Sequence, residues 1–364
     1  MALQVYSCIY YVNLLRAILP KLAKVRQPMP LEVVVAAIGL LGVITYAILA
    51  GADFGGGIWD LLAWGPRRTQ QREAIAHAVG PVWEANHVWL IFIIVVLFTG
   101  FPTAFAALSI GLFAPFHLAL LGIILRGAAF VFRAYSPQKE QQPSQSSQRW
   151  GTIFGAASVI TPVILGMTLS AVSAGQLRVI DGVVQSEGIV WMTPLAIAMG
   201  LLALALCAYL AAVYMTIETR DELQADFRQR ALLAGTAVVG LSLLSLPLLY
   251  FTAQHLWEGL ISVRAAPVLT IGLLAALLSG WALLRWRFQL ARGAAIVQIS
   301  CLLAGWGIAQ YPYIIYPDIT LATASAPRAT LIFILVALPL GLLILLPSLW
   351  FLFKVFKSAP REDA

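Results

Sequence analysis

Residues 31–60 read LEVVVAAIGLLGVITYAILAGADFGGGIWD, and this run decides the fold class. Its first part is almost purely apolar and long enough to cross the hydrocarbon of a bilayer as one helix. The run then continues into Asp53, the glycines Gly55, Gly56 and Gly57, and Asp60. A carboxylate in hydrocarbon is expensive, so it faces the interior of a bundle and marks an ion or proton path. A second such segment, Trp83-Glu84-Ala85-Asn86-His87-Val88-Trp89, follows across one short basic loop.

Working outward, similar apolar runs recur along the whole chain of 364 residues, which is 61% hydrophobic and 11% charged. The spans expected are 31–60, 74–99, 103–134, 151–172, 192–216, 231–252, 265–286, 294–315 and 328–356, an all-α polytopic membrane bundle of about nine helices. Gly100 and Pro102 should break the helix after the second span. Residues 173–190 read as an outside loop, Ser136–Gln148 as a polar linker, and 216–230 as a solvated connector between helices. The three cysteines, Cys8, Cys207 and Cys301, have no spacing that points to a disulfide framework, a zinc site or covalent haem.

The net charge of +7 is distributed as insertion requires and is no sign of nucleic acid. Arg67, Arg68 and Arg72 lie in loop 1, Arg133, Lys139 and Arg149 in loop 3, and Arg220, Arg228 and Arg230 in loop 5. Arg285, Arg287 and Arg292 follow in loop 7, and Lys354, Lys357 and Arg361 toward the C-terminus. The even loops carry no basic residue or one each, namely Arg178, Arg264 and Arg328. The odd loops and the C-terminus are therefore expected in the cytoplasm and the N-terminus outside. Residues 1–28, with Arg16, Lys21, Lys24 and Arg26, contradict that orientation. They are read as an extension upstream of a start at Met29, before a membrane domain 29–357 and a tail 358–364.

Asp53, Gly56, Gly57 and Asp60 recur at helical spacing on one face, and glycines there let another backbone approach closely. Glu73, His77, Gly80, Glu84 and His87 would form one continuous stripe on the second span, kinked at Pro81. Counted from loop 1, Glu84 lies about 15 Å and Asp53 about 12 Å deep, so the two acids should reach similar depth. Histidine titrates near neutral pH, and a stripe of Glu and His open to the cytoplasm suits proton conduction. The expected path is Asp53, Asp60, His77, Glu84 and His87. The plain alternative is helix packing by Gly55, Gly56 and Gly57, with Trp83 and Trp89 as core or interface aromatics. His117 is placed to bond across the bundle, His255 in an outer loop, Arg126 to snorkel or pair with a carboxylate, and Asp318 in a solvated turn. No spacing identifies a metal site. A proton-coupled secondary transporter would also use buried acids and broken helices.

GADFGGGIWDLL, VGPVWEANHVWLI and GWGIAQYPYIIYPDITLATASAPRATL, in that order, resemble subunit II of cytochrome bd-type quinol oxidases. The resemblance covers about residues 29–357. It implies a multi-pass subunit of the bacterial cytoplasmic membrane, in contact with lipid, that packs against subunit I and, in some complexes, a small accessory subunit. It also implies that haem b and haem d sit in subunit I, which oxidises quinol and reduces dioxygen to water. Subunit II binds no haem itself and contributes a cytoplasmic proton-uptake path. Some members hold a structural quinone near the tryptophan matched by Trp83. Asp53 matches the family's acid in its segment. Glu84 stands where some members have Asp, and His87 where some have Gln.

Overall fold

The computed structural model describes residues 30–79, 83–134, 145–186 and 188–357; the extension 1–28 and the tail 358–364 lie outside them. The chain is helical almost throughout. Helix α1 (Leu31–Leu61) is followed by the short polar α2 (Arg68–Val79), α3 (Trp83–Gly100), α4 (Pro102–Gly111), α5 (Phe113–Ala134) and α6 (Gln145–Ser173). A hairpin, β1 (Leu177–Ile180) and β2 (Val183–Ser186), leads to α7 (Pro194–Glu218), α8 (Asp221–Thr252), α9 (Gln254–Leu260), α10 (Ala266–Leu284) and α11 (Phe288–Gln310). The strands β3 (Tyr313–Ile315) and β4 (Ile319–Thr320), the turn α12 (Leu321–Ala324) and α13 (Arg328–Lys357) complete the described chain.

Among the described residues, eight helices are long and apolar enough to cross a membrane, and α3 with α4 supplies a ninth crossing if that bent pair counts as one. This is an integral membrane protein. Helix α1 is its axis, packed by α3, α6, α7 and α11. One core cluster gathers Ile58, Trp59, Tyr209, Phe227 and Leu283 around α7, and another gathers Val35, Phe101, Leu112, Leu177 and Ile315 toward the other end of α1.

One local expectation holds and three change. The chain turns by 118° between α3 and α4, where Gly100 packs its bare backbone on Val35 and Pro102 opens the next helix. The expected span 103–134 is two helices, broken at buried Leu112. Pro115, in the first turn of α5, has no N–H for the carbonyl of Gly111, so the preceding helix cannot run through. The connector 216–230 is almost all helix, interrupted only at Thr219 and Arg220; Glu218, Arg220, Asp221 and Glu222 are exposed as expected, while Glu222 and Asp226 also pair with Arg67. The expected loop 173–190 contains a hairpin, with Asp181 and Gly182 both at positive φ in its two-residue turn.

That hairpin is clasped to the β3–β4 turn. Arg178 donates through Nε and Nη2 to Asp318 at 2.8 and 2.9 Å, and the Val179 N–H donates to the same carboxylate at 2.7 Å. Asp318 is thus ion-paired, with 15% of its side chain exposed, rather than solvated. The Arg178 hydrogen bonds hold its carboxyl below the usual carboxylate range. A depressed acid stabilises the fold above its ordinary value of about 4 and loses that contribution as pH falls through the lowered one. Acidification below about pH 4 should therefore expose residues 177–186 to protease, and Asp318→Asn should expose them already at neutral pH. Equal cleavage of both proteins at pH 7 would contradict the clasp.

Candidate functional site

Asp53 is 6% exposed and Arg126, 73 residues later, 2%. The guanidinium takes the carboxylate with both forks: Nη1 donates to Oδ2 at 2.8 Å and Nη2 to Oδ1 at 2.6 Å. Nη2 also donates to the Asp53 carbonyl at 3.1 Å, and Nε to the Ser158 hydroxyl at 3.0 Å. Phe54 and Phe154 lie against the same guanidinium, with ring centroids 5.0 and 4.8 Å from Cζ. A desolvated pair survives when geometry and extra hydrogen bonds offset the lost hydration, and this one has both.

A second rung repeats the first. Asp60, 1% exposed, accepts Nη1 of Arg133 at 2.9 Å and Nη2 at 3.2 Å. Arg72 of α2 donates Nε to the Asp60 carbonyl at 3.1 Å and stands 3.9 Å from its carboxylate. Asp53 and Asp60 are seven residues apart on α1, as are Arg126 and Arg133 on α5. Two helical turns separate each pair, so the rungs lie about 10 Å apart.

The glycines explain how α1 comes so close to its neighbours. A Cβ on Gly57 would fall 2.1 Å from Ser158 Oγ, the atom that Arg126 uses. A Cβ on Gly55 would fall 2.0 Å from the Cys207 carbonyl of α7, and one turn on Trp59 Nε1 donates to the Ala208 carbonyl at 2.7 Å. The two glycines thus serve opposite faces of α1, Gly57 toward α6 and Gly55 toward α7. Gly56 between them is buried.

One turn back along α1 from Asp53, buried Asn86 donates Nδ2 to the Leu49 carbonyl at 3.4 Å. This contact sets the register of α3 on α1. Glu84 is two residues back from Asn86 and Asp53 four residues on from Leu49. In antiparallel helices both lie toward loop 1, about 3 and 6 Å past the contact. The depth match expected for the two acids follows. The side chains of Trp83 and Glu84 lie outside the described residues. His87 is half-buried and lines an apolar cavity of about 470 Å³ against the α5 face that includes Gly127 and Ala128, next to Arg126.

The stripe expected on the second span falls on two described stretches of helix. Helix α2 ends at Val79 and α3 begins at Trp83, with 80–82, including Gly80 and Pro81, outside the described residues. Glu73 and His77 are exposed on α2, while Gln71 and Ile75 form its buried side. Gln71 ties α2 to α8, accepting from Arg230 at 2.6 Å and donating to Asp226 at 3.1 Å, while Arg67 takes Asp226 and Glu222. His117 bonds to the Phe113 carbonyl of its own helix rather than across the bundle. His255 lies in helix α9, not a loop, stacked on Tyr316 with centroids 4.5 Å apart. Among the described residues, no three His, Cys, Asp or Glu side chains gather as a metal site.

A family profile described as "Cytochrome bd terminal oxidase subunit II" matches residues 31–356. The chain belongs to that family. Similar relatives include the cytochrome bd-I ubiquinol oxidase subunit 2 of Escherichia coli, 23% identical over 89% of this chain and 94% of the relative. The cytochrome bd ubiquinol oxidase subunit 2 of Bacillus subtilis is 27% identical over 52% of this chain and 54% of its own. A chain of the bd oxidase structure from Geobacillus thermodenitrificans superposes with a TM-score of 0.76 at 25% identity, covering 91% of this chain and all of that one. Two segments that carry the resemblance in sequence, around Asp53 and Glu84, meet at the Asn86–Leu49 contact. Arg126, Arg133 and Arg72 complete the cluster, and only Arg126 was considered as a partner for an acid from sequence.

Proposed function

We propose that this chain is the haem-free subunit II of a quinol:oxygen oxidoreductase, packed against a haem-bearing subunit I and supplying its cytoplasmic proton-uptake path. Haem b and haem d belong, on this reading, to the partner, which also binds quinol and reduces dioxygen to water. The observation that carries the proposal is the Asp53–Arg126 pair, an ionised group sealed inside the membrane bundle at the depth of Glu84. Asp53 and Asp60, each clamped by an arginine, set the charge of the path wall. His77 at the surface of α2, then Glu84 and His87 on α3, pass the protons. The arginine-rich loops support a mouth and C-terminus in the cytoplasm and an N-terminus outside. Proton-coupled transport has no observation in its favour: the family match spans nearly the whole chain, and among the described residues there is one broken span rather than a related pair.

Glu84→Gln in the purified complex is the test. Quinol-driven oxygen consumption should fall about a hundredfold, the lower end for losing a positioned acid–base group, while haem content is retained. Unchanged turnover and unchanged generation of membrane potential would rule the proton role out.

A further inference from the structure

At the arginine-rich end of the bundle, the α10–α11 turn and the α7–α8 junction enclose a cavity of about 480 Å³. Trp286, Arg287, Phe288 and Gln289 form one wall and Gln224 part of the other. Arg287 takes part in none of the ion pairs among the described residues; its guanidinium rests 5.5 Å from the Trp281 ring. Between Ala265 and Pro317 the sequence has no Asp or Glu, while Arg285, Arg287 and Arg292 all fall there. Arg228 adds a further cation: it stacks 4.7 Å from Trp286 and donates to the Leu283 carbonyl at 2.7 Å, which fixes the rim. Glu218 and Asp221 stand on the opposite side, at the end of α7 and the start of α8, so any anion must be seated from the α10–α11 wall.

The apolar surface beside the cavity continues the pattern. Trp286 and Trp281 are 51% and 44% exposed at the end of a membrane-length apolar helix, where indole rings favour the headgroup interface. From there Leu284, Leu277 and Leu274, at 58%, 63% and 60% exposure, follow one face of α10 into the membrane. Cation, interfacial indoles and an exposed leucine track succeed one another in the order of a phospholipid's phosphate, glycerol and acyl chains.

We propose that this cavity seats the phosphate of an anionic phospholipid, held by Arg287 and Gln289, with its chains along α10. A zwitterionic lipid would bring an ammonium to a wall that offers arginines and no carboxylate. Basic pockets between helices on the cytoplasmic side suit anionic headgroups for this reason. The site shares no residue with the Asp53 and Asp60 rungs and does not depend on the proton path.

The test uses the purified, delipidated complex with dioleoyl phosphatidylglycerol, dioleoyl phosphatidylcholine or inorganic phosphate, read by native mass spectrometry and thermal unfolding. Phosphatidylglycerol should remain bound and raise the unfolding midpoint; phosphatidylcholine and phosphate should not. Arg287→Gln should bind phosphatidylglycerol about fivefold more weakly, the size of one arginine–headgroup contact. Its unchanged haem spectrum would certify folding, since Arg287 is an exposed side chain. Equal retention by wild type and Arg287→Gln would overturn the proposal. So would an equal shift with phosphatidylcholine, or a shift with phosphate alone, which would make this a free-anion site.

Discussion

Arg126→Gln should destabilise the protein by about 3–5 kcal/mol, the usual consequence of removing one partner from a buried ion pair. The figure comes from what is left behind. Asp53 would be left in a site 6% exposed without its two-pronged guanidinium, and the Ser158 hydroxyl would lose a donor. The double variant Asp53→Leu with Arg126→Leu should recover most of the loss, because an apolar pair of similar volume has no stranded charge. Arg133→Gln should be milder. Its side chain is 26% exposed, and Arg72 remains 3.9 Å from the same carboxylate. Thermal unfolding of the assembled complex separates the cases. If Arg126→Gln unfolds at the wild-type temperature, or the double variant fares no better than the single one, the pair is not what holds α5 against α1.

That pair also marks where sequence reasoning stops. Asp53 and Asp60 stand out because each interrupts an apolar run, and the price of a charge in hydrocarbon makes them visible without any structure. Their partners do not stand out. Arg126 and Arg133 sit near the inner end of an apolar helix, where an arginine ordinarily snorkels to the headgroups. The available signal was the shared spacing of seven, on α1 for the acids and on α5 for the bases. The broken span at Leu112 was legible in the same limited way. Pro115 announces a break, but the apolar pattern runs through it, and hydropathy does not register a missing N–H. In the connector 216–230 alternating charge marks an exposed surface, which Glu218, Arg220, Asp221 and Glu222 keep, but it shows neither the helix nor the pairing with Arg67. Arg67, 155 residues from Glu222, is what turns that charge into packing. Positive-inside asymmetry and apolar length report on the bilayer, which acts on every segment separately; ion pairs report on neighbours, which the chain order hides.

Gly55→Ala should cost about 3 kcal/mol or more, beyond the usual range for one added methyl group in a packed interior. The new Cβ would lie 2.0 Å from the Cys207 carbonyl oxygen, 2.6 Å from its carbonyl carbon and 2.6 Å from the Ala211 Cβ. Two of these are backbone atoms of α7, so no rotamer change relieves the clash and the two helices must part. The Trp59–Ala208 hydrogen bond, at 2.7 Å one turn away, would stretch with them. Gly280→Ala is the matched control: nothing lies within 4 Å of its Cβ, and replacing a mid-helix glycine should stabilise by about 0.5–1 kcal/mol. The same chemical change then has opposite signs at two helical positions, and only contact with α7 distinguishes them. Because α1 carries Asp53 two residues before Gly55 and on another face, separating α1 from α7 moves the carboxylate against Arg126. Gly55→Ala should therefore slow quinol oxidation in whatever complex still assembles, whereas Gly280→Ala should not. If the two variants unfold at the same temperature, close approach of α1 and α7 is not the reason for glycine at position 55.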